Sequence, residues 1–329
     1  AEPDPGSLTL QDMADYRVAQ RDVICGEFRD MEICTTSPPS SGGAQIMMAA
    51  LYDHLLTPGA DRADRIAAFV DAQRLAYADR DQYFGDPDEV DIPLEELLDP
   101  AYLEYRATER FAPGAIPTPG DPGLLLNGSP VAGRFAQDTT QEAAGTSHLS
   151  IIDSDGNAVS MTMTVESVFG SQRWAGGFVL NNEMTDFARA VPANGSRPAN
   201  AIAPGRRPRS SMSPTMVLDS DGDILMTVTI TFSDSSTLSG TTVGPLRALE
   251  EGSLAEFITE HYWGYSRQRD GGTLEYAVEH PRWGVWDAES VRFETDVATL
   301  YGREFAALLS AEPHSALVAE GSDVSLYWG

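Results

Sequence analysis

A threonine near the middle of the chain has the neighbours that a nucleophile at a chain terminus requires. Thr146 follows Gly145 at the end of a connector, residues 114–144, that is rich in glycine and proline. Cleavage before Thr146 would free its α-amine, whose unperturbed pKa is roughly 7.7–8.0, so the amine could act as base for the hydroxyl of its own residue. The residues alone leave an alternative open, because threonine often begins a strand simply as a good β-former.

The segments around Thr146 predict a layered protein. Residues 149–153 and 159–164 alternate as strands around an Asp-Gly turn, which predicts a hairpin. Three stretches before the connector have apolar residues at helical spacing, with Pro100 expected to break the last: 44–56, 61–78 and 94–111. Further helices are predicted near the end of the chain, at 246–263, 273–279 and 297–310. Because helices come first and strands follow, the order favours an α/β (α+β) protein over a βαβ repeat.

The two cysteines predict a disulfide. With Arg29-Asp30 as a two-residue turn, Cys25 lies opposite Cys34 in a hairpin, at a Cα separation of about 4.5 Å that a disulfide can bridge. A disulfide indicates an exported protein, periplasmic or extracellular. The open alternative is a pair of small buried thiols in the cytosol.

The charge balance excludes some partners. Lys+Arg total 22 against 50 Asp+Glu, for a net charge of −28, and no residue is lysine. Such a surface repels nucleic acid and anionic membranes, and it is interpreted as a solvated acidic surface that serves solubility rather than as an acidic binding surface. The sequence contains no run of about 18 apolar residues, so it predicts no membrane span. No signal peptide is visible at the first residues, so either none exists or the chain begins after it.

The histidines do not predict a metal site. The five of them, His54, His148, His261, His280 and His314, show no ligand spacing, so neither metal nor cofactor is expected. His148 lies two residues past Thr146 on the same face of the strand. It is interpreted as structural rather than as a base.

Several motifs, in order and at matching spacing from about Leu8 to Thr229, resemble the gamma-glutamyltransferase (gamma-glutamyltranspeptidase, glutathione hydrolase) family. They are Pro38-Pro39-Ser40-Ser41-Gly42-Gly43, Tyr77-Ala78-Asp79-Arg80 with Gly85-Asp86-Pro87, Thr146-Ser147-His148, Asp155-Gly156-Asn157-Ala158-Val159, Thr162-Met163-Thr164-Val165-Glu166 with Phe169-Gly170, Leu180-Asn181-Asn182-Glu183-Met184-Thr185-Asp186-Phe187, and Arg207-Pro208-Arg209-Ser210-Ser211-Met212-Ser213-Pro214-Thr215. Ala277-Val278-Glu279-His280-Pro281-Arg282 matches again. So many ordered matches are far more specific than one isolated motif.

The resemblance implies a fold and a processing event. The family is similar to other N-terminal-nucleophile hydrolases, which form a four-layer αββα sandwich, here expected to be incomplete at the N-terminus. A precursor of this family cuts itself before a threonine, which the resemblance places between Gly145 and Thr146. Residues 1–145 would then be the end of a large subunit, closing with a cleavable connector, and 146–329 a small catalytic subunit. The two processed halves are expected to associate.

The resemblance also assigns roles to individual residues. Thr146 would attack the γ-glutamyl carbonyl, and Thr164 would hydrogen-bond to it. Three carboxylates would receive the α-ammonium of the substrate, and two hydroxyls would donate to its α-carboxylate: Glu166, Glu183 and Asp186, then Ser210 and Ser211. Without the resemblance, each of these residues would be an ordinary strand or loop residue.

The chain departs from the family pattern in two places. The family's longer large subunit supplies an arginine for the substrate carboxylate, and nothing before Ala1 is present. Where the family has a Pro-Gly-Gly turn as oxyanion hole, this chain has Ser233-Asp234, with no glycine for a close approach and with a negative charge nearby.

The sequence therefore predicts hydrolysis or transfer of γ-glutamyl groups from glutathione-like amides, with water or an amino acid as acceptor. One alternative is an acylase of the cephalosporin acylase kind, which would use Thr146 on a different acyl group. Another is a non-catalytic remnant that keeps the fold, motivated by Ser233-Asp234 and the short N-terminus. Turnover of a γ-glutamyl anilide separates the catalytic alternatives from the remnant.

Overall fold

A computed structural model gives the fold. The residues that the structure describes are 9–111, 117–140, 146–152, 156–167, 169–175, 177–188, 195–229, 239–242, 283–285, 291–294 and 326–327. Their helices are α1 (Leu10–Asp15), α2 (Gly42–Leu55), α3 (Arg62–Tyr83), α4 (Leu94–Leu97), α5 (Pro100–Arg106) and α6 (Pro122–Asn127), with 3-10 turns at Ala132–Arg134 and Glu183–Asp186.

The strands of the described part form sheets of different sizes. They are β1 (Val23–Phe28), β2 (Met31–Thr36), β3 (Thr146–Ile152), β4 (Ala158–Thr164), β5 (Trp174–Ala175), β6 (Phe178–Val179), β7 (Pro214–Leu218), β8 (Ile224–Thr229), β9 (Ser239–Thr242), β10 (Trp283–Val285), β11 (Val291–Glu294) and β12 (Leu326–Tyr327). The largest sheet has the order β1-β2-β7-β8-β9, and β3 pairs with β4 in a separate hairpin.

Helices α2 and α3 pack together, and α2 lies on β1 and β2 of the large sheet. Their contact buries side chains such as Met47, Leu51, Phe69 and Leu75 in one apolar core. A Cβ at Gly42, the first residue of α2, would collide with the carbonyl oxygen of Thr36, so glycine permits this close approach of helix and strand. This packing fixes where the C-terminal turn of α3 meets the loop after β2.

The β3–β4 hairpin lies against β7, β8 and β9 of the large sheet. Its polar face is half-buried, whereas Ile151, Val159, Met161 and Met163 are each more than two-fifths exposed. The threonines of the hairpin therefore lie on its inward face. Among the described residues, α2 contacts the large sheet at β1 and β2, and the hairpin contacts it at β7, β8 and β9.

The large sheet joins both sides of the predicted cleavage site. Strand β2 pairs antiparallel with β7, from Glu32 opposite Leu218 to Thr35 opposite Thr215. The two parts of the chain that a cut before Thr146 would separate therefore share one continuous sheet.

Two local predictions agree closely with the structure. The hairpin β1–β2 turns at Arg29-Asp30 with Cys25 opposite Cys34, and a disulfide joins them at a Cα separation of 4.1 Å. Cys25 is exposed, so the alternative of two buried thiols does not hold. Pro100 separates α4 from α5 by standing at the first position of α5, after the N-cap Asp99.

The connector is more ordered than a flexible link where the structure describes it. Residues 117–140 contain α6, and Val131 and Asp138 are only 4% and 3% exposed. The carboxylate of Asp121 accepts the amide hydrogens of Val131 and Ala132, which ties the connector to itself. The helices predicted at 246–263, 273–279 and 297–310 lie outside the described residues, as does the Ala277–Arg282 motif.

Candidate active site

The predicted nucleophile and its predicted partner face each other. In the β3–β4 register Thr146 lies directly opposite Thr164, and His148 lies opposite Thr162. Directly opposite residues of an antiparallel pair project on the same face, with Cβ atoms about 4.5–5.5 Å apart. The hydroxyl of Thr164 accepts the amide hydrogen of Glu166 at 2.8 Å, which leaves its own proton as a donor.

Glu166 is held in an unusual backbone conformation next to this pair. Its φ is 72°, in the left-handed region that residues other than glycine seldom occupy, and only 5% of the residue is exposed. Its carboxylate accepts the hydroxyl of Ser167 at 2.6 Å and the amide of Asn182. The strained turn thus places a buried carboxylate within two residues of Thr164.

Asn182 connects Glu166 to the other two predicted carboxylates. Its side-chain oxygen accepts the amide hydrogen of Ser167 at 3.1 Å, and the residue is the N-cap of the 3-10 turn Glu183–Asp186. Asp186 is 8% exposed within that turn. The structure therefore ties Glu166 to the residue that begins the turn holding Glu183 and Asp186.

Asn200 links that turn to the predicted serines. Its side-chain amide donates to the carbonyl of Asp186 at 2.7 Å and to the carboxylate of Asp138 at 2.9 Å. Its side-chain oxygen accepts the amide hydrogen of Arg209 at 2.8 Å, one residue before Ser210. One buried side chain therefore sets the position of the turn with Asp186 relative to the serine pair.

The serine pair is anchored to the loop between β2 and α2. The amide of Ser210 donates to the carbonyl of Pro39 at 2.9 Å, and its carbonyl accepts the hydroxyl of Ser41 at 2.7 Å. Ser211 is 9% exposed, and its hydroxyl oxygen accepts a hydrogen bond from Arg80 at 2.8 Å. Residues from both sides of the predicted cleavage site therefore build this loop.

Part of the predicted site lies outside the described residues. These residues are Gly145, which precedes the predicted cleavage site, and Ser233 and Asp234 of the predicted oxyanion region. Among the described residues, Thr146 lies opposite Thr164. Glu166 is hydrogen-bonded to Asn182, which begins the turn with Glu183 and Asp186. Asn200 connects that turn to the loop of Ser210 and Ser211.

The only group of possible metal ligands among the described residues is Cys25, Glu32 and Cys34. Both cysteines are consumed by the disulfide, so they offer no thiolate to a metal. None of the helices in the described part combines the length and apolar character that a bilayer crossing needs.

His148 is bound on both sides of its ring. Its Nδ1 lies 2.8 Å from the hydroxyl oxygen of Thr162, and its Nε2 lies 2.9 Å from that of Ser150. Burial lowers the pKa of His148 from 6.5 to about 4, so the ring is neutral at neutral pH. Both nitrogens are engaged within the hairpin, which fits the interpretation of His148 as structural.

This histidine makes stability depend on pH. Between pH 6.5 and about 4 the unfolded chain protonates His148 while the folded protein keeps it neutral, so acidification favours unfolding. We expect His148→Gln to reduce the loss of urea stability between pH 7 and pH 4.5, measured by fluorescence. The exposed His54→Gln serves as control. Equal pH dependence in wild type and His148→Gln would contradict the expectation.

Three residues that organise the site escaped prediction as functional residues. Arg80 and Asn182 stand within family-like motifs, and that was their only signal. Asn200 carries no local signal, because a single asparagine in a proline-rich loop looks like a turn residue.

Comparison with known proteins identifies the family. A family model described as gamma-glutamyltranspeptidase matches residues 1–229. The chain belongs to the gamma-glutamyltranspeptidase family. The matched range ends at Thr229, where the motif resemblance also weakens, and a second model, described as an uncharacterized conserved protein, matches residues 210–323.

Similarity to individual proteins supports the same family assignment. The glutathione hydrolase proenzyme of Bacillus subtilis (strain 168) is 32% identical over 300 residues, which cover 89% of this chain and 46% of that protein. The acylase ACY 1 proenzyme of Pseudomonas sp. (strain SE83) is 34% identical over 220 residues, or 65% of this chain and 36% of that protein. The chain thus spans about half the length or less of these relatives.

A solved structure shows the fold. The crystal structure of cephalosporin acylase from Bacillus halodurans superposes with a TM-score of 0.66 at 19% identity, over 98% of this chain and 49% of that one. With the mixed helices and sheets described above, this confirms the predicted α+β fold of the N-terminal-nucleophile hydrolase type.

Proposed function

We propose that this chain hydrolyses or transfers γ-glutamyl groups of glutathione-like amides through an acyl-enzyme on Thr146. In this proposal residues 1–145 act as the end of a large subunit, and 146–329 act as the small subunit, after self-cleavage between Gly145 and Thr146. The observation that carries the proposal is the pairing of Thr146 with Thr164, whose hydroxyl is oriented by the Glu166 amide at 2.8 Å.

The proposed reaction has two acyl transfers. The hydroxyl of Thr146 attacks the γ-carbonyl of the amide while the freed α-amine of Thr146 takes its proton. The C–N bond then breaks, and the departing amine receives that proton, which leaves an ester on Thr146. Water attacks the ester and gives glutamate, or an amino acid attacks and gives a new γ-glutamyl amide. Thr164 keeps the hydroxyl in line through both steps.

Substrate recognition follows from the charges. Glu166, Glu183 and Asp186 would accept charge-assisted hydrogen bonds from the α-ammonium. Ser210 and Ser211 would donate to the α-carboxylate. Two sets of hydrogen bonds support this arrangement: Asn182 donates to Glu166, and Asn200 joins the carbonyl of Asp186 to the amide of Arg209, one residue before Ser210.

Two further parts of the proposal concern assembly and location. The processed halves would remain associated, which the β2–β7 pairing and the Asn200–Asp138 hydrogen bond support. We place the protein in the periplasm or outside the cell, because the Cys25–Cys34 disulfide persists in oxidising compartments.

The first test is the intact mass of the purified protein under denaturing conditions. We expect two fragments that divide between Gly145 and Thr146, because self-cleavage uses the same hydroxyl as substrate attack. The same preparation is then assayed with a γ-glutamyl anilide. A single uncut chain that stays stable for days and turns over no anilide would favour the non-catalytic remnant.

An acylase of the cephalosporin acylase kind is the second candidate, favoured by the 34% identity to the Pseudomonas acylase proenzyme. A glutaryl anilide tests it, because glutaryl keeps the carboxylate of a γ-glutamyl group and lacks its α-ammonium. We expect the glutaryl compound to be the poorer substrate. The carboxylate of Glu166 is buried, and a buried carboxylate needs a cation to compensate its loss of hydration, which the glutaryl group does not supply. Preference for the glutaryl compound would replace the proposed substrate class.

A further inference from the structure

Arg80 occupies a buried position behind the serine pair. It stands in the last turn of α3 and is 2% exposed. Its guanidinium donates from Nε to the hydroxyl of Ser41 at 2.6 Å and from Nη2 to the hydroxyl of Ser211 at 2.8 Å. Its Nη1 lies 3.1 Å from the carboxylate of Asp81. The planar fork thus reaches two hydroxyls and one carboxylate at once.

The chemistry of these groups fixes the direction of each hydrogen bond. A guanidinium only donates, so the oxygens of Ser41 and Ser211 are acceptors toward Arg80. The hydroxyl of Ser41 in turn donates a hydrogen bond to the carbonyl oxygen of Ser210 at 2.7 Å. Ser211 likewise must direct its proton away from Arg80. A hydroxyl that accepts from a cation is polarised and becomes a stronger donor.

The carboxylate that pairs with Nη1 of Arg80 also pairs with a second arginine. Asp81 also pairs with Arg209 at 3.1 Å, and Arg209 lies 3.5 Å from Asp138. Asp81 is therefore shared between the two arginines, and Arg80 donates from Nε to the hydroxyl oxygen of Ser41 and from Nη2 to that of Ser211. Two of the three guanidinium nitrogens of Arg80 therefore donate to serine hydroxyls.

We propose that Arg80 is a positioning residue for recognition of a carboxylate, acting through the hydroxyl of Ser211. Its fork orients that hydroxyl as a donor, and its buried charge raises the affinity of the serine pair for an anion. This inference rests on the proposed function, since it assigns Ser211 to the α-carboxylate of a γ-glutamyl substrate. It assigns to α3 a part in substrate selection beyond its place in the core.

Two ligands isolate this effect. L-glutamate carries the α-carboxylate, and L-isoglutamine replaces it with a neutral carboxamide while keeping the α-ammonium. We expect Arg80→Gln to weaken binding of L-glutamate roughly 10–100-fold, the scale of one hydrogen bond to a charged group, and to change binding of L-isoglutamine less than about threefold. Calorimetry on the purified protein measures both dissociation constants.

Matched variants separate positioning from mere support of the fold. Arg80→Lys keeps the charge but loses the planar fork, so it should lose a measurable part of the preference for L-glutamate, less than Arg80→Gln loses. Arg134→Gln removes an exposed arginine and should leave both dissociation constants unchanged. In a double-mutant cycle, Arg80→Lys should have no further effect on the preference once Ser211→Ala is present. This cycle still tests the inference if Arg80→Gln fails to fold.

The outcomes distinguish this inference from the proposed function. If the wild type binds L-glutamate and the Arg80 variants weaken both ligands equally, or neither, the inference is overturned while the proposed function stands. Additive effects of Arg80→Lys and Ser211→Ala would overturn it as well. If the wild type binds neither ligand and turns over no γ-glutamyl anilide, the proposed function fails and the inference falls with it.

Discussion

Thr146→Ala is expected to remain a single uncut chain and to lose turnover of a γ-glutamyl anilide by a factor on the order of 10⁶, the scale seen when a serine protease loses its nucleophile. Alanine keeps the backbone of β3 and removes the hydroxyl that faces Thr164 across the hairpin. The fold should persist, because the side chain is only half-buried. Intact mass and an anilide assay measure the two effects.

Two variants bracket this result. Thr146→Ser keeps the hydroxyl and should retain processing and measurable turnover. Ser147→Ala changes the next residue, whose side chain is exposed on the opposite face of the strand, and should behave as wild type. Cleavage or turnover that survives in Thr146→Ala would refute the assignment of the nucleophile.

Asp79→Asn should cost about 3–5 kcal/mol of folding free energy, because it leaves a buried guanidinium without its countercharge. The side chains of Asp79 and Arg106 are both 0% exposed and lie 2.9 Å apart. Asp79 also accepts the hydroxyl of Tyr102 at 2.8 Å and the amide of Gly120 at 2.7 Å. Burial raises the pKa of Tyr102, so this hydroxyl keeps its proton and remains a donor.

Urea unfolding at neutral pH measures this loss, and Asp91→Asn is the matched control. Asp91 pairs with Arg134 at 2.8 Å, but both side chains are largely exposed, so its replacement should change stability by about 0–1 kcal/mol. Glu109 also contacts Arg106, from a partly exposed position, and offsets part of the lost charge. A loss for Asp79→Asn no larger than that of Asp91→Asn would contradict the expected role of the pair.

Local pairings were accessible from the sequence. A two-residue turn at Arg29-Asp30 places Cys25 opposite Cys34, because the position of the turn sets the register of all residue pairs in the hairpin. The Asp-Gly turn likewise indicated a hairpin of residues 149–153 and 159–164, and the structure begins its first strand three residues earlier, at Thr146. Pro100 had to interrupt the helical stretch, since proline lacks the amide hydrogen that a helix interior requires. Family motifs then supplied roles that spacing alone would not assign.

Contacts between distant segments were not accessible. Arg80 reaches Ser211 across 131 positions of sequence, and Asn200 reaches Asp138 across 62. Neither leaves a periodic pattern, because the partner is brought close only by packing of α3 and the loops around it. The inward polar face of the β3–β4 hairpin was also hidden, since alternation identifies two faces and does not say which one is covered.

The pairing of β2 with β7 bears on the order of folding and the proposed self-cleavage. Thr35 meets Thr215 only after a very long loop has closed, and such non-local pairing is slow to form. In the proposed self-cleavage, a cut made before this pairing formed would leave it to form between two molecules, so we expect the cut to follow folding. Once the cut is made, the same pairing becomes a contact between two molecules, so recovery after unfolding would depend on concentration. Processing would turn a chain that can refold alone into an assembly that lasts mainly because it unfolds slowly.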